Sequence, residues 1–159
     1  MNIFKLLGIV FVAVGGGAIC YILYKREYTA LCRAEAWERL ISFIGSQVEC
    51  FALPIKQILS RVDGELLRDC GFRGASSPQD LRALIRGSVI EDRETRTLAE
   101  HFCGEFGRGY VDEQTARCKY FAGALGERKK KLRADLPAKK KLYSTLCISA
   151  SLAALIIFL

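Results

Sequence analysis

The side chains with which this chain could do chemistry are seven cysteines, one histidine and seventeen carboxylates. The cysteines fall at 20, 32, 50, 70, 103, 118 and 147, and no two make a Cys-x-x-Cys pair. With only His101 beside them, no Cys/His zinc set of familiar spacing can be assembled. His101 stands among Glu100, Phe102 and Glu105, a setting that suits a surface or core histidine better than a catalytic one. Glu91-Asp92 and Asp112-Glu113 are pairs of neighbours in sequence, and neighbours on a helix point apart, so they read as helix capping rather than as paired acid and base. The glycines from Gly104 to Gly109 lack the Lys-Ser/Thr ending of a phosphate-binding loop. Any of the five cysteines from Cys32 to Cys118 could be a nucleophile, but none has a base beside it in sequence. The expectation is a protein that is not an enzyme, with no metal, cofactor or small-molecule substrate.

The elements that carry these residues divide sharply by composition. No charge occurs over the 19 residues from Leu6 to Tyr24 or over the 18 from Leu142 to Leu159. As helices these stretches are about 27–29 Å long, close to the ~30 Å of a bilayer's hydrocarbon core. The sequence therefore predicts transmembrane helices over 3–24 and 142–159, around a cytoplasmic domain over 25–141. A cleaved signal peptide fits less well: the apolar stretch is long, and no A-x-A site precedes Lys25-Arg26. Orientation rests on Lys139, Lys140 and Lys141, which abut the last apolar stretch with Lys129, Lys130 and Lys131 upstream. By the positive-inside rule the middle is cytoplasmic and both ends point across the membrane. In the first stretch Ala13 with Gly17 and Gly16 with Cys20 form small-xxx-small pairs that let helix backbones approach; glycine is also simply common in membrane helices.

The net charge of +7 is not a nucleic-acid signal, because residues 27–127 hold 13 basic against 16 acidic side chains. The basic excess is concentrated next to the apolar ends, where it suits membrane lipid headgroups. The basic run from Arg128 to Lys131 reads as a solvated helix face. Two cysteines lie in the apolar ends, which leaves an odd five in the domain. Free thiols on a reducing side explain that number better than a disulfide framework.

Within the domain the apolar residues recur at helical period. Trp37, Leu40, Ile41, Ile44, Val48 and Phe51 form one stripe on a helix with no break between it and the first apolar stretch. Pro54 restarts the chain for Ile55, Ile58, Leu59 and Val62; Asp63-Gly64 stops it, and Leu66, Leu67 and Cys70 make a short third piece. After a loop at 71–75, Ser77 as N-cap and Pro78 at the first helical position open a helix through Leu81, Leu84 and Ile85 to Gly87. Acids at 91, 92 and 94 precede a helix burying Leu98, Phe102 and Phe106. Gly107-Arg108-Gly109 turns, and Asp112 opens a long last helix carrying Cys118, Phe121, Ala122, Leu125, Leu132 and Leu136 inward. The only β-branched run is Val89-Ile90, so the fold class is all-α, a helical bundle of about five or six helices flanked by terminal membrane helices.

Several of these strings together resemble the stage III sporulation protein AB family of endospore-forming bacteria, over essentially the whole chain. They are Gly15-Gly16-Gly17 leading to Lys25-Arg26, then Val48-Glu49-Cys50-Phe51-Ala52-Leu53-Pro54, and most specifically Phe106-Gly107-Arg108-Gly109-Tyr110-Val111-Asp112-Glu113-Gln114. The family-motif positions are thus Pro54, Gly107, Gly109, Asp112 and Gln114. The chain departs from the family in lacking a second proline near Ala52, a tryptophan near Leu84 and glycines early in the last apolar stretch, and Pro137 should interrupt the helix leading into that stretch. The resemblance implies a structural part of the channel complex between mother cell and forespore. It implies a domain similar to the cytoplasmic domain of the type II secretion and type IV pilus platform protein, and partners that include a secretion-type AAA ATPase and other membrane components. A membrane-anchored thiol or redox protein, and a platform subunit of a pilus or secretion system, are the alternatives.

Overall fold

The computed structural model describes the backbone of residues 3–158, and the side chains of residues 8, 14–153 and 156. Among the described residues the chain forms six α-helices: α1 (Ile3–Phe51), α2 (Ile55–Arg61), α3 (Gly64–Asp69), α4 (Leu81–Gly87), α5 (Arg93–Glu105) and α6 (Val111–Phe158). The one β-type contact among them is an isolated bridge between Phe72 and Ser88. The chain separates into two compact units, one of Met1–Tyr28 with Arg133–Leu159 and one of Thr29–Leu132.

The larger unit is built on the expected stripe of α1. Trp37, Leu40, Ile41 and Ile44 are fully buried and join Ile58, Leu59, Leu67, Leu84, Phe102, Phe121 and Leu125 in one core. Trp37 donates its indole N–H to the carbonyl of Cys70 at 3.0 Å, fixing the end of α3 against α1. One turn earlier, Arg33 donates to the carbonyl of Arg68 at 3.0 Å and forms an ion pair with Glu91 at 3.3 Å. Phe102 meets Phe121 edge-on with ring centroids 5.7 Å apart, joining α5 to α6.

The helix ends obey local chemistry. Helix α1 stops with Ala52 in the left-handed region (φ 48°), its N–H on the carbonyl of Val48. A proline fixes φ near −65° and could not stand in that conformation. Pro54 is the N-cap residue of α2. The N-cap of α4 is not the expected Ser77 but Asp80, whose carboxylate accepts from the N–H of Ala83 at 2.5 Å. Asp92 caps α5, accepting from both the N–H and the hydroxyl of Thr95 at 2.8 Å.

Two expectations need correction. Pro137 does not interrupt α6, which runs through it; proline removes one N–H and leaves the helices on either side with their remaining bonds. The run from Arg128 to Lys131 is not uniformly solvated. Arg128 and Lys129 are only about a fifth exposed, holding Asp92, Glu94 and Glu38 in ion pairs, while Lys130 and Lys131 face solvent. Among the described residues no helix is long and apolar enough to cross a membrane. The charge-free stretches whose side chains are contiguously described, 14–24 and 142–153, reach only about 17–18 Å as helix, short of the ~30 Å needed. In the rest of both expected spans the side chains, that of Ala13 among them, lie outside the described residues, except at positions 8 and 156.

Burial would raise the Asp92 carboxyl, but the bidentate Arg128 guanidinium (3.0 and 2.6 Å) and the Thr95 donors outweigh it and bring the pKa from 3.8 down to about 2. A folded pKa below the unfolded one adds stability that is complete above the unfolded value and disappears as pH falls through the folded value. Asp92→Asn, which keeps a capping oxygen, should therefore cost about 2 kcal/mol at neutral pH through the lost ion pair with Arg128. In denaturation curves the deficit should shrink from about pH 4 towards about pH 2. A deficit independent of pH would show that the charge contributes nothing.

Candidate functional site

In the larger unit, α1 and α6 come close because their facing residues are small. A Cβ added to Gly45 would lie 2.9 Å from the Cβ of Cys118, so only glycine permits this approach. Beside the contact runs a groove of about 340 Å³ lined by Ser42, Ser46, Glu49, Thr115, Lys119 and Ala122. Lys119 and Glu49 pair across it at 3.4 Å, and both are more than half exposed. The Thr115 hydroxyl is buried without a hydrogen-bond partner among the described residues. At the same end Asp112 lines a second hollow with Glu49, Val111 and Lys119. Phe51, Tyr110 and Tyr120 are exposed aromatics, at 63%, 83% and 69%. Such a surface, lined by small residues and mostly apolar in the groove, with unburied rings on the neighbouring turns, has the composition of a contact site.

The family-motif positions shape this end. Gly107 and Gly109 take φ of 87° and 99°, a conformation costly for other residues, and form the turn between α5 and α6. Gln114 donates its side-chain amide to the carbonyl of Gly109 at 3.1 Å. Sequence reasoning missed Arg117, whose guanidinium bonds the carbonyls of Glu105 at 2.8 Å and Arg108 at 2.7 Å and so braces the whole turn. Its only sequence signal is a position about one and a half turns into a helix that follows a glycine turn. Pro54 lies on the α1–α2 connection. His101 is exposed, and Glu91 and Asp92 are held by Arg33 and Arg128 respectively. Among the described residues no cluster of three or more His, Cys, Asp or Glu could hold a metal ion.

The smaller unit gathers the other singled-out residues. Lys139 pairs with Glu27 at 2.6 Å, and Tyr143 donates to the same carboxylate at 3.3 Å; the Glu27 bond raises the pKa of Lys139. Lys140 lies 5.6 Å over the ring of Tyr24. Arg26 and Lys141 are exposed, as is Lys25 on α1. Gly16 and Cys20 face α6, with Ser151 3.8 Å from a Cβ built on Gly16, while nothing lies within 4 Å of one built on Gly17. Cys20 is joined to Cys147 by a disulfide across 127 positions of sequence, a pairing the cysteine spacing did not reveal.

The other five cysteines are free: Cys32 and Cys50 are exposed, and Cys70, Cys103 and Cys118 are buried. Burial pushes the Cys103 thiol up to about 12 and the Cys118 thiol to about 11, and raises Cys70 further. No known protein family, curated protein or solved structure matches the chain.

Two outcomes follow. Under native conditions an alkylating reagent should modify Cys32 and Cys50 and reach Cys70, Cys103 and Cys118 only on unfolding; equal rates at all five in a peptide-mass time course would contradict this burial. Gly45→Ala should cost about 1–3 kcal/mol by forcing α1 and α6 apart. Combined with Cys118→Gly it should cost less than the sum of the two single changes, and additive losses in thermal unfolding would show that the two positions do not touch.

Proposed function

We propose that this chain is a membrane-anchored, non-enzymatic adaptor, a component of the channel complex between mother cell and forespore in endospore formation. Its terminal segments, 3–24 and 142–159, are the anchors, and its central helical unit docks a cytoplasmic secretion-type ATPase. The observation that carries the reading is the pairing of two charge-free stretches with basic flanks at Lys25-Arg26 and Lys139-Lys140-Lys141. Both stretches are ends of the long helices α1 and α6. Side chains such as Ile19, Ile22, Ile148 and Leu152 are at least 56% exposed in the described part of these ends, an arrangement that suits lipid better than water. The sporulation assignment comes from the sequence resemblance at Pro54 and from Gly107 to Gln114. The α1–α6 groove with its neighbouring exposed aromatics is the contact surface this reading would use.

Both halves of the reading are testable. In a background without other reactive thiols, Ser76→Cys should be labelled by an impermeant maleimide only after the cells are opened, and Asn2→Cys and Leu159→Cys from outside. Labelling of position 76 on intact cells refutes the topology. For the adaptor role, the full chain in detergent should capture the secretion-type ATPase of its own operon. Capture should weaken as salt rises, because the central region 27–127 carries three more acidic than basic side chains. Substituting Tyr110 and Tyr120 by alanine should reduce capture by at least about tenfold if these rings are anchors. No capture at any salt concentration refutes the ATPase as partner.

A further inference from the structure

We propose that the Cys20–Cys147 pair is a redox site, and that the apolar cavity beside it admits a quinone-class, lipid-soluble acceptor that takes the pair's two electrons. The inference rests on the local geometry of the smaller unit and not on the adaptor reading.

The two sulfurs are placed to be satisfied in either redox state. Their residues are held with Cα atoms 6.8 Å apart, within reach of a bond without movement of the backbone. Cys20 Sγ lies 2.9 Å from the carbonyl oxygen of Tyr143, and Cys147 Sγ lies 3.0 Å from that of Gly16. Each of these carbonyls stands four residues before the opposite cysteine, so the arrangement is reciprocal across the helix pair. A helical carbonyl keeps a second lone pair after its own N–H bond. When the pair is reduced, each thiol proton therefore finds an acceptor on the facing helix; when it is oxidised, the sulfurs need no donor and the carbonyls keep their helical bonds. Opening the bridge leaves no orphaned S–H.

The cavity supplies the second observation. It has a volume of about 260 Å³, both cysteines line it, and the walls beside them are Ile19, Leu23, Leu146 and Ala150. No lining residue carries a charge. A charged tripeptide disulfide would have to give up hydration to enter, with nothing there to replace it. A flat apolar ring loses little water and fits a pocket of this size. The five remaining thiols lack the combination, since Cys32 and Cys50 are exposed and Cys70, Cys103 and Cys118 are buried, and none is bonded.

The reaction balances without another reactant. The two thiols lose two protons and two electrons, one sulfur–sulfur bond forms, both S–H bonds break, and the quinone takes up both protons and both electrons to become the quinol. The bridge then ties α1 to α6 within the smaller unit.

The test uses the full chain, reduced and held in detergent micelles. Decylubiquinone, whose ring is fully substituted and cannot add to thiols, is compared with oxidised glutathione. After denaturation, maleimide-labelled thiols should fall from seven to five with the quinone, with one quinol formed per chain and a mass-identified bridge between the peptides of Cys20 and Cys147. Oxidised glutathione should act on the order of tenfold more slowly or less. Cys147→Ser should keep six thiols with or without quinone. Cys118→Ser, which leaves the pair intact, should fall from six to four, so a folding defect confined to the first variant cannot imitate the result. Seven thiols persisting with quinone, a bridge joining any other pair, or glutathione disulfide matching the quinone in rate would each overturn the proposal.

Discussion

A fully buried indole needs a partner for its N–H, and in the larger unit Trp37 finds it in the carbonyl of Cys70. That bond and the burial around it organise the unit. Helices α2, α3 and α4 have seven, six and seven residues, and α5 has thirteen. Isolated helices shorter than about 12–15 residues are marginal in water, so these pieces draw their order from the surface they cover. That surface includes the face of α1 from Trp37 to Val48, with Ile58, Leu67, Leu84 and Phe102 packed in the same cluster. Arg33 extends the same edge of α1, bonding the carbonyl of Arg68 and pairing with Glu91, so one turn of one helix ties the end of α3 and the approach to α5 together.

The charged contacts complete what the apolar face begins, and their value depends on where they sit. Exposed pairs such as Arg39–Glu35 and Lys130–Glu127 add little, because water and salt screen them and two flexible side chains must be held together. The Arg128 fork on Asp92 is different, because that carboxylate also caps α5 through Thr95, which is itself fully buried. One side chain thereby satisfies a helix end and holds α6 against it. A planar guanidinium can do this with two parallel bonds, and a lysine at 128 could not. The basic excess of this stretch is accordingly part tertiary structure and part surface, although its composition alone suggests a single solvated face.

Legibility in the sequence followed the range of the interaction. The core stripe of α1, the restart at Pro54 and the turn at Gly107–Gly109 are encoded within a few residues, by helical period and by residues with special backbone freedom. The cap of α4 was displaced from Ser77 to Asp80 because several polar residues in a row can each serve as cap, and the one chosen depends on where Leu81 and Leu84 must be buried. Pro137 misled for a related reason: a long helix with bonds on both sides of a proline can absorb one missing N–H. Least legible were Arg117, whose partners are two carbonyls of a preceding turn, and the bridge between Cys20 and Cys147, whose ends are 127 residues apart. Nothing local in the sequence marks Gly45, and only the nearness of Cys118 on another helix explains it.

The distribution of cysteines gains meaning from this geometry. A thiol reacts as its thiolate, and burial holds the Cys118 group up at about 11 and the Cys103 group at about 12. At neutral pH these buried thiols therefore stay protonated. Each sits singly in the core, as a small apolar residue does, and oxidation there would put a polar group into apolar surroundings. Only at Cys20 and Cys147 do two sulfurs meet, with carbonyl acceptors for the reduced form and none needed for the oxidised one. The seven cysteines therefore fall into three kinds: packing shields three of them, Cys32 and Cys50 stand exposed and unbonded, and the bonded pair joins α1 to α6 in the smaller unit.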